Sequence, residues 1–291
     1  MQEKLEFKKK RDFSQIINDT FLFLRQNLKP LLKIYFIFCG LFVLAGMLSA
    51  LMYQYKTINL VNGGSPASAF NFSRMFGLEY FLVIVFALVS YASVTVAILS
   101  YITLYVQKGN QIPSTDEVWA YYKFYFLRVF GSSLLLSLML GVATLFCLVP
   151  GFYLFPFVAI MMPIMVIENG TLGYSFGRSF KLIKDNFWTT FGTIMIVWII
   201  VYAGMSLITL PTTILSMVGL FTKNNPSMSL TFTAISTVLQ YLCQAFTVIP
   251  IITVSLCYFS LAEDKERTGL MEKISQFGNL EKPIDHRPEE Y

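Results

Sequence analysis

Hydrophobic and polar positions alternate along this chain in long blocks, and the block from Val129 to Ile167 sets the frame for the rest. It holds no charged residue and is divided by Pro150-Gly151. As one helix rising about 1.5 Å per residue it would overshoot a hydrocarbon layer of roughly 30 Å. Pro150 lacks a backbone donor and Gly151 tolerates turn dihedrals, so the pair is expected to reverse the chain between helices over 129–149 and 152–167. Further apolar runs cover 34–55, 78–106 (with Glu79 at its entry), 187–210 and 230–262, which makes six expected spans. Pro211 is expected to end or kink the fifth span, and a kink at Pro250 to absorb the surplus length of the sixth.

The stretches between spans have a different period. Phe13, Ile16, Ile17, Phe21 and Leu24 recur at helical spacing before the first span, and Val118, Tyr121, Tyr122 and Tyr125 before the third. Leu172, Phe176, Phe180, Ile183 and Phe187 do the same before the fifth. Each pattern reads as an amphipathic helix lying at the membrane interface. Ser114-Thr115-Asp116-Glu117 carries the reciprocal cap that starts such a helix. Lys181 and Asp185 are spaced for an i,i+4 ion pair.

The expected fold is therefore an all-α integral membrane protein with six transmembrane helices in three hairpins, each preceded by a cytoplasmic amphipathic helix. A basic polar segment over 1–11, read as frayed, precedes this membrane domain over 12–262, and a polar tail over 263–291 follows it. The three repeated units are expected to pack around a pseudo-threefold centre. Gly40, Gly46, Gly131, Gly141, Gly192 and Gly204 would admit close helix contacts.

Composition strengthens the membrane reading. Hydrophobic residues make up 55% of the 291 and charged residues only 13%, about half the charge an average soluble domain carries. Nineteen of the 22 Lys and Arg residues lie on the side that holds both termini, leaving Lys56, Arg74 and Lys223 opposite. By the positive-inside rule both termini are cytoplasmic. The opening residues lack the pattern of a cleavable secretion signal. No nucleic-acid-binding motif accompanies the basic residues, so membrane lipids and a membrane-protein partner are the expected partners, not nucleic acid.

Little reactive chemistry accompanies this architecture. The single histidine, His286, lies in the tail, and Cys39, Cys147, Cys243 and Cys257 are scattered through apolar blocks. No catalytic constellation, metal site or cofactor is expected. The sharpest polar grouping is Glu168 with Arg178, Ser179, Lys181 and Lys184. It reads either as a fastening between the fourth span and the following amphipathic helix or as a phosphate-headgroup site.

One resemblance accompanies these features. Pro150-Gly151-Phe152-Tyr153, the run from Pro163 through Glu168 to Gly170, Ser175 to Phe180, and Asn186-Phe187-Trp188 resemble the membrane domain of some bacterial glycerophosphoryl diester phosphodiesterases and related six-span inner-membrane proteins. The resemblance implies that Glu168, Arg178 and Ser179 occupy recurring positions, without making them catalytic. No soluble phosphodiesterase barrel is attached, so that activity is not implied. The function expected from the sequence is a non-enzymatic scaffold or assembly partner of a membrane complex, the alternative being a lipid-handling protein or transporter.

Overall fold

A computed structural model describes residues 5–63, 77–146, 148–221, 226–267 and 271. The described residues are helical, without strands, and six helices are long and apolar enough to cross a bilayer. The chain is a multi-pass membrane protein. Its helices are α1 (Phe13–Gly63), α2 (Leu78–Gln107), α3 (Thr115–Phe146), α4 (Leu148–Ile167), α5 (Leu172–Ile183), α6 (Phe187–Phe221), α7 (Pro226–Cys243) and α8 (Val248–Glu266), with a 3-10 turn at Gln244–Thr247.

Consecutive spans pack side by side, and α2, α4 and α8 contact one another at the centre. The outer positions fall to α1, α3 and α6. Burial reports the same order: from Ser90 to Tyr105 every residue of α2 except Tyr91 is buried, as is nearly all of α8 from Val248 to Ala262. Helices enclosed on every side read as apolar all round, which is why neither carries a strong polar stripe. Several of their polar groups are small hydroxyls bonded within the helix, as when Thr103 donates to the Leu99 carbonyl at 2.7 Å. Ser93 reaches across instead, donating to the Phe38 carbonyl at 3.1 Å and lying 2.9 Å from the Tyr122 hydroxyl.

The expected boundaries hold best for α2 and for the cap of α3. There the Ser114 amide donates to Glu117 at 2.8 Å and the Glu117 amide to Ser114 Oγ at 3.4 Å. Elsewhere the structure departs from the sequence reading. The first amphipathic segment and first span form one helix, bent at Asn27 (φ −118°, ψ 17°). Pro30 explains the bend: it donates no hydrogen bond, and its ring crowds the carbonyl four residues earlier. The Asn27 side chain fills the break, donating to the Phe23 carbonyl at 3.2 Å and accepting from the Tyr101 hydroxyl at 2.9 Å. This helix also runs on past the expected span end at 55, through Asn59 to Gly63.

The second amphipathic stretch runs without a break into its span as α3. α3 ends at Phe146 and α4 begins at Leu148, so Pro150 and Gly151 lie within the first turn of α4 and not between the two helices. A proline costs nothing there because the first amides of a helix have no intrahelical acceptor. Gly151 serves packing: a Cβ on it would collide with the Thr144 side chain of α3. Pro211 neither ends nor breaks α6, which continues to Phe221 and takes in Thr212 to Phe221. The sixth crossing is interrupted at Gln244–Thr247, ahead of Pro250, which sits in the first turn of α8. Among the glycines expected at close contacts, a Cβ on Gly46 would lie 3.1 Å from the Tyr241 ring, whereas one on Gly40, Gly131, Gly141 or Gly204 would meet nothing within 4 Å.

Candidate functional site

Most ion pairs of the described residues lie at one end of the bundle, around the last two turns of α8, while Lys56 pairs with Glu79 at the other end at 2.7 Å. Glu168 follows directly on α4, and Asn169 turns the chain with φ 53°. Thr171 then caps α5 by accepting from the Tyr174 amide at 3.4 Å. That turn swings α5 back so that Arg178 Nε donates to Glu168 Oε1 at 3.1 Å. Tyr258 of α8 donates to the same oxygen at 2.8 Å, and Tyr174 donates to Oε2 at 2.8 Å. Arg178 Nη2 also meets Glu266 at 2.5 Å. Two carboxylates thus hold this guanidinium. Burial disfavours its charge, but the bonds to Glu266 and Glu168 outweigh that cost and its pKa is raised. The Tyr174 hydroxyl, bonded to the Glu168 carboxylate, is pushed up as well.

Neighbouring contacts extend the lock. Arg128 of α3 donates to Asn169 Oδ1 at 2.7 Å, with its guanidinium over the Phe124 ring at 5.4 Å. Asn186 donates to Asp264 at 3.1 Å, and Asp264 pairs with Lys10 at 2.5 Å. Asp185 pairs with Lys265 and not with Lys181. The reason is that α5 ends at Ile183, so the helical spacing that would join Lys181 to Asp185 is lost.

The N-terminal segment, expected to fray, belongs to the same lock. Phe7 is 1% exposed and lies edge-on to Phe23, Phe259 and Tyr105, with ring centroids 5.1, 5.3 and 6.0 Å away. Arg11 folds the segment over itself. Its guanidinium donates to the Phe7 carbonyl at 2.7 Å, the Lys9 carbonyl at 3.0 Å and the Glu6 carbonyl, and it pairs with Asp19 at 2.6 Å. Its amide donates to Ser260 Oγ at 2.9 Å. A buried arginine neutralised by one carboxylate and satisfied by backbone oxygens is tolerated, whereas an unpaired one would not be.

Of the five residues singled out in the sequence, the structure brings Glu168 and Arg178 together. Ser179 is buried within α5, donating to the Phe176 carbonyl at 2.8 Å. Lys181 and Lys184 stand exposed on its outer side. Sequence reading missed Arg11, Tyr258, Ser260, Asp264 and Glu266, whose partners lie far along the chain. The cluster of charges at 263–267 was legible, but not as the end of a buried helix.

A second feature lies deeper. Where α2, α4 and α8 meet, about halfway along α2, they enclose an apolar cavity of about 620 Å³, counting its open mouth, lined by Tyr91, Thr95, Ala159, Trp198, Pro250 and Val254 among others. Tyr91 is 45% exposed even though its neighbours along α2 are buried. Trp198 stacks on Tyr202 at 5.3 Å. The lining offers hydroxyls but no charge, so it suits an apolar chain and not an ion. Among the described residues no three His, Cys, Asp or Glu side chains gather as a metal site. His286 and Cys147 lie outside the described residues.

No family model matches the chain, and comparison with curated proteins and with solved structures returns no match.

Proposed function

We propose that this chain is a non-enzymatic, lipid-handling protein of a bacterial cytoplasmic (inner) membrane, with both termini cytoplasmic. The observation that carries the reading is the uncharged cavity between α2, α4 and α8. Without its open mouth the cavity measures about 120 Å³, below the roughly 300–1,000 Å³ of sites that hold a whole small molecule, so it suits a segment of one acyl chain, and its mid-helix depth sets it level with lipid tails. The lock at the basic end supports fastening as the role of Glu168 and Arg178, because two carboxylates already occupy this arginine. The resemblance to phosphodiesterase membrane domains points to the same lipid-related role.

The test is photo-crosslinking in vesicles with a phospholipid bearing a diazirine on its acyl chain. Saturable labelling of the segment containing Ala159, lost in Ala159→Trp, is the expected result. Labelling confined to outward positions such as Leu135, Ile199 and Leu207 refutes the proposal. The scaffold reading keeps one favourable observation: α3 and α6 leave most of their apolar length uncovered, with 17% and 22% of the span window buried against 78% for the last crossing. Repeated recovery of one membrane-protein subunit from native membranes would favour it.

A further inference from the structure

Outside the lock and the central cavity, one lateral feature combines shape with charge. α7 runs beside α1 as far as Tyr241, whose ring would lie 3.1 Å from a Cβ at Gly46. The chain then steps away from this part of α1 through the 3-10 turn at Gln244–Thr247 and enters the buried centre as α8, which meets α1 again only nearer its start, at Thr20 and Thr253. Below that step one side of α1 has no neighbour. The result is a groove of about 1050 Å³, counting its open side, lined by Ile37, Gly40, Leu41, Leu44, Met47 and Leu242 among others. Gly40 sits midway along it, and a Cβ there would meet nothing within 4 Å.

Two properties specify the occupant. The first is length: from Ile37 to Met47 a helix rises about 15 Å, which is half of a roughly 30 Å hydrocarbon core and so the depth of one leaflet. The second is charge. Lys29 and Lys33 precede Ile37, Gly40 and Leu44 at helical spacings of three and four, so both cations lie on the groove side of α1. Both are exposed, and neither forms an ion pair among the described residues. A one-leaflet apolar channel ending beneath two free ammonium groups matches an acyl chain below a phosphate.

We infer that the α1 groove binds an anionic phospholipid from the leaflet on the basic side, with its phosphate at Lys29 and Lys33 and one acyl chain laid over Gly40. The site is separate from the central cavity, so Ala159→Trp leaves it intact. The experiment is native mass spectrometry of the full chain released from phosphatidylcholine vesicles containing a minor fraction of phosphatidylglycerol. Wild type retains phosphatidylglycerol in excess of its share of the vesicle. Lys29→Gln/Lys33→Gln lowers that preference by roughly thirtyfold, the effect of two interfacial cations, while retention of phosphatidylcholine continues. Gly40→Leu fills the channel in open space, favours the helix and lowers the number of lipids retained by one, whereas Gly40→Ser leaves the channel open and retains the wild-type number. Retention in the vesicle's own ratio, an unchanged preference in the double lysine variant, or wild-type retention by Gly40→Leu would each overturn the assignment.

Discussion

Replacing Glu168 by Gln tests the lock most directly because it changes charge with almost no change in shape. The carboxylate accepts from Arg178, Tyr174 and Tyr258, and its side chain is only 16% exposed. Gln keeps the oxygen facing Arg178 and Tyr258 but without its charge, replaces the other with a donor facing the Tyr174 hydroxyl, and leaves Glu266 as the only carboxylate on Arg178. Hydrogen bonds to charged groups contribute roughly 1.5–3 kcal/mol each, and partial exposure lets water recover some of the loss. A cost of about 3 kcal/mol follows, or roughly 5–10 °C in Tm for a chain of this size. Thermal unfolding of detergent-purified protein, followed by far-UV circular dichroism, gives the readout. Arg178→Gln should cost less, about 2 kcal/mol, because Glu168 keeps two tyrosine donors. The double variant should fall short of additivity by roughly 1–2 kcal/mol. A Glu168→Gln protein melting within 2 °C (~1 kcal/mol) of wild type, or a strictly additive pair, would refute the fastening role.

Two further outcomes follow from the packing. Phe7→Ala should cost about 3–5 kcal/mol by emptying the aromatic box around Phe23, Tyr105 and Phe259; it should also open the Lys8–Arg11 segment to trypsin, and unchanged resistance would contradict the buried strap. Gly151→Val should destabilise the α3–α4 pair by about 1–3 kcal/mol through its collision with Thr144. Adding Thr144→Ala should return part of that loss, and a Gly151→Val protein as stable as wild type would remove the close approach as the reason for glycine.

Local sequence carried much of the architecture because membrane crossings declare themselves by length and lack of charge. The limits of α2 and the Ser114–Glu117 cap were legible for that reason: each depends on residues within a few turns. The proline positions misled because the same residue has opposite consequences by position. Pro30 bends α1 at Asn27, while Pro150 and Pro250 sit harmlessly in first turns. Of the site, the pairing of Glu168 with Arg178 was within reach, being ten positions apart across one turn. Arg11 with Ser260, or Asn186 with Asp264, leaves no local mark, because a residue that will pair across the fold has the same neighbours as one that faces water.

The bond between Arg11 and Ser260 spans 249 positions, and that separation imposes an order on biogenesis. The ribosome delivers the opening strap first and its receptor almost last, so five crossings must enter the bilayer before Phe7 and Arg11 find their seats. Until then the nascent protein carries an Arg11 amide without its Ser260 acceptor and a Phe7 ring whose box lacks Phe259. Completion of the sixth crossing therefore acts as the closing clasp, and a chain cut short before α8 would lose its beginning along with its end.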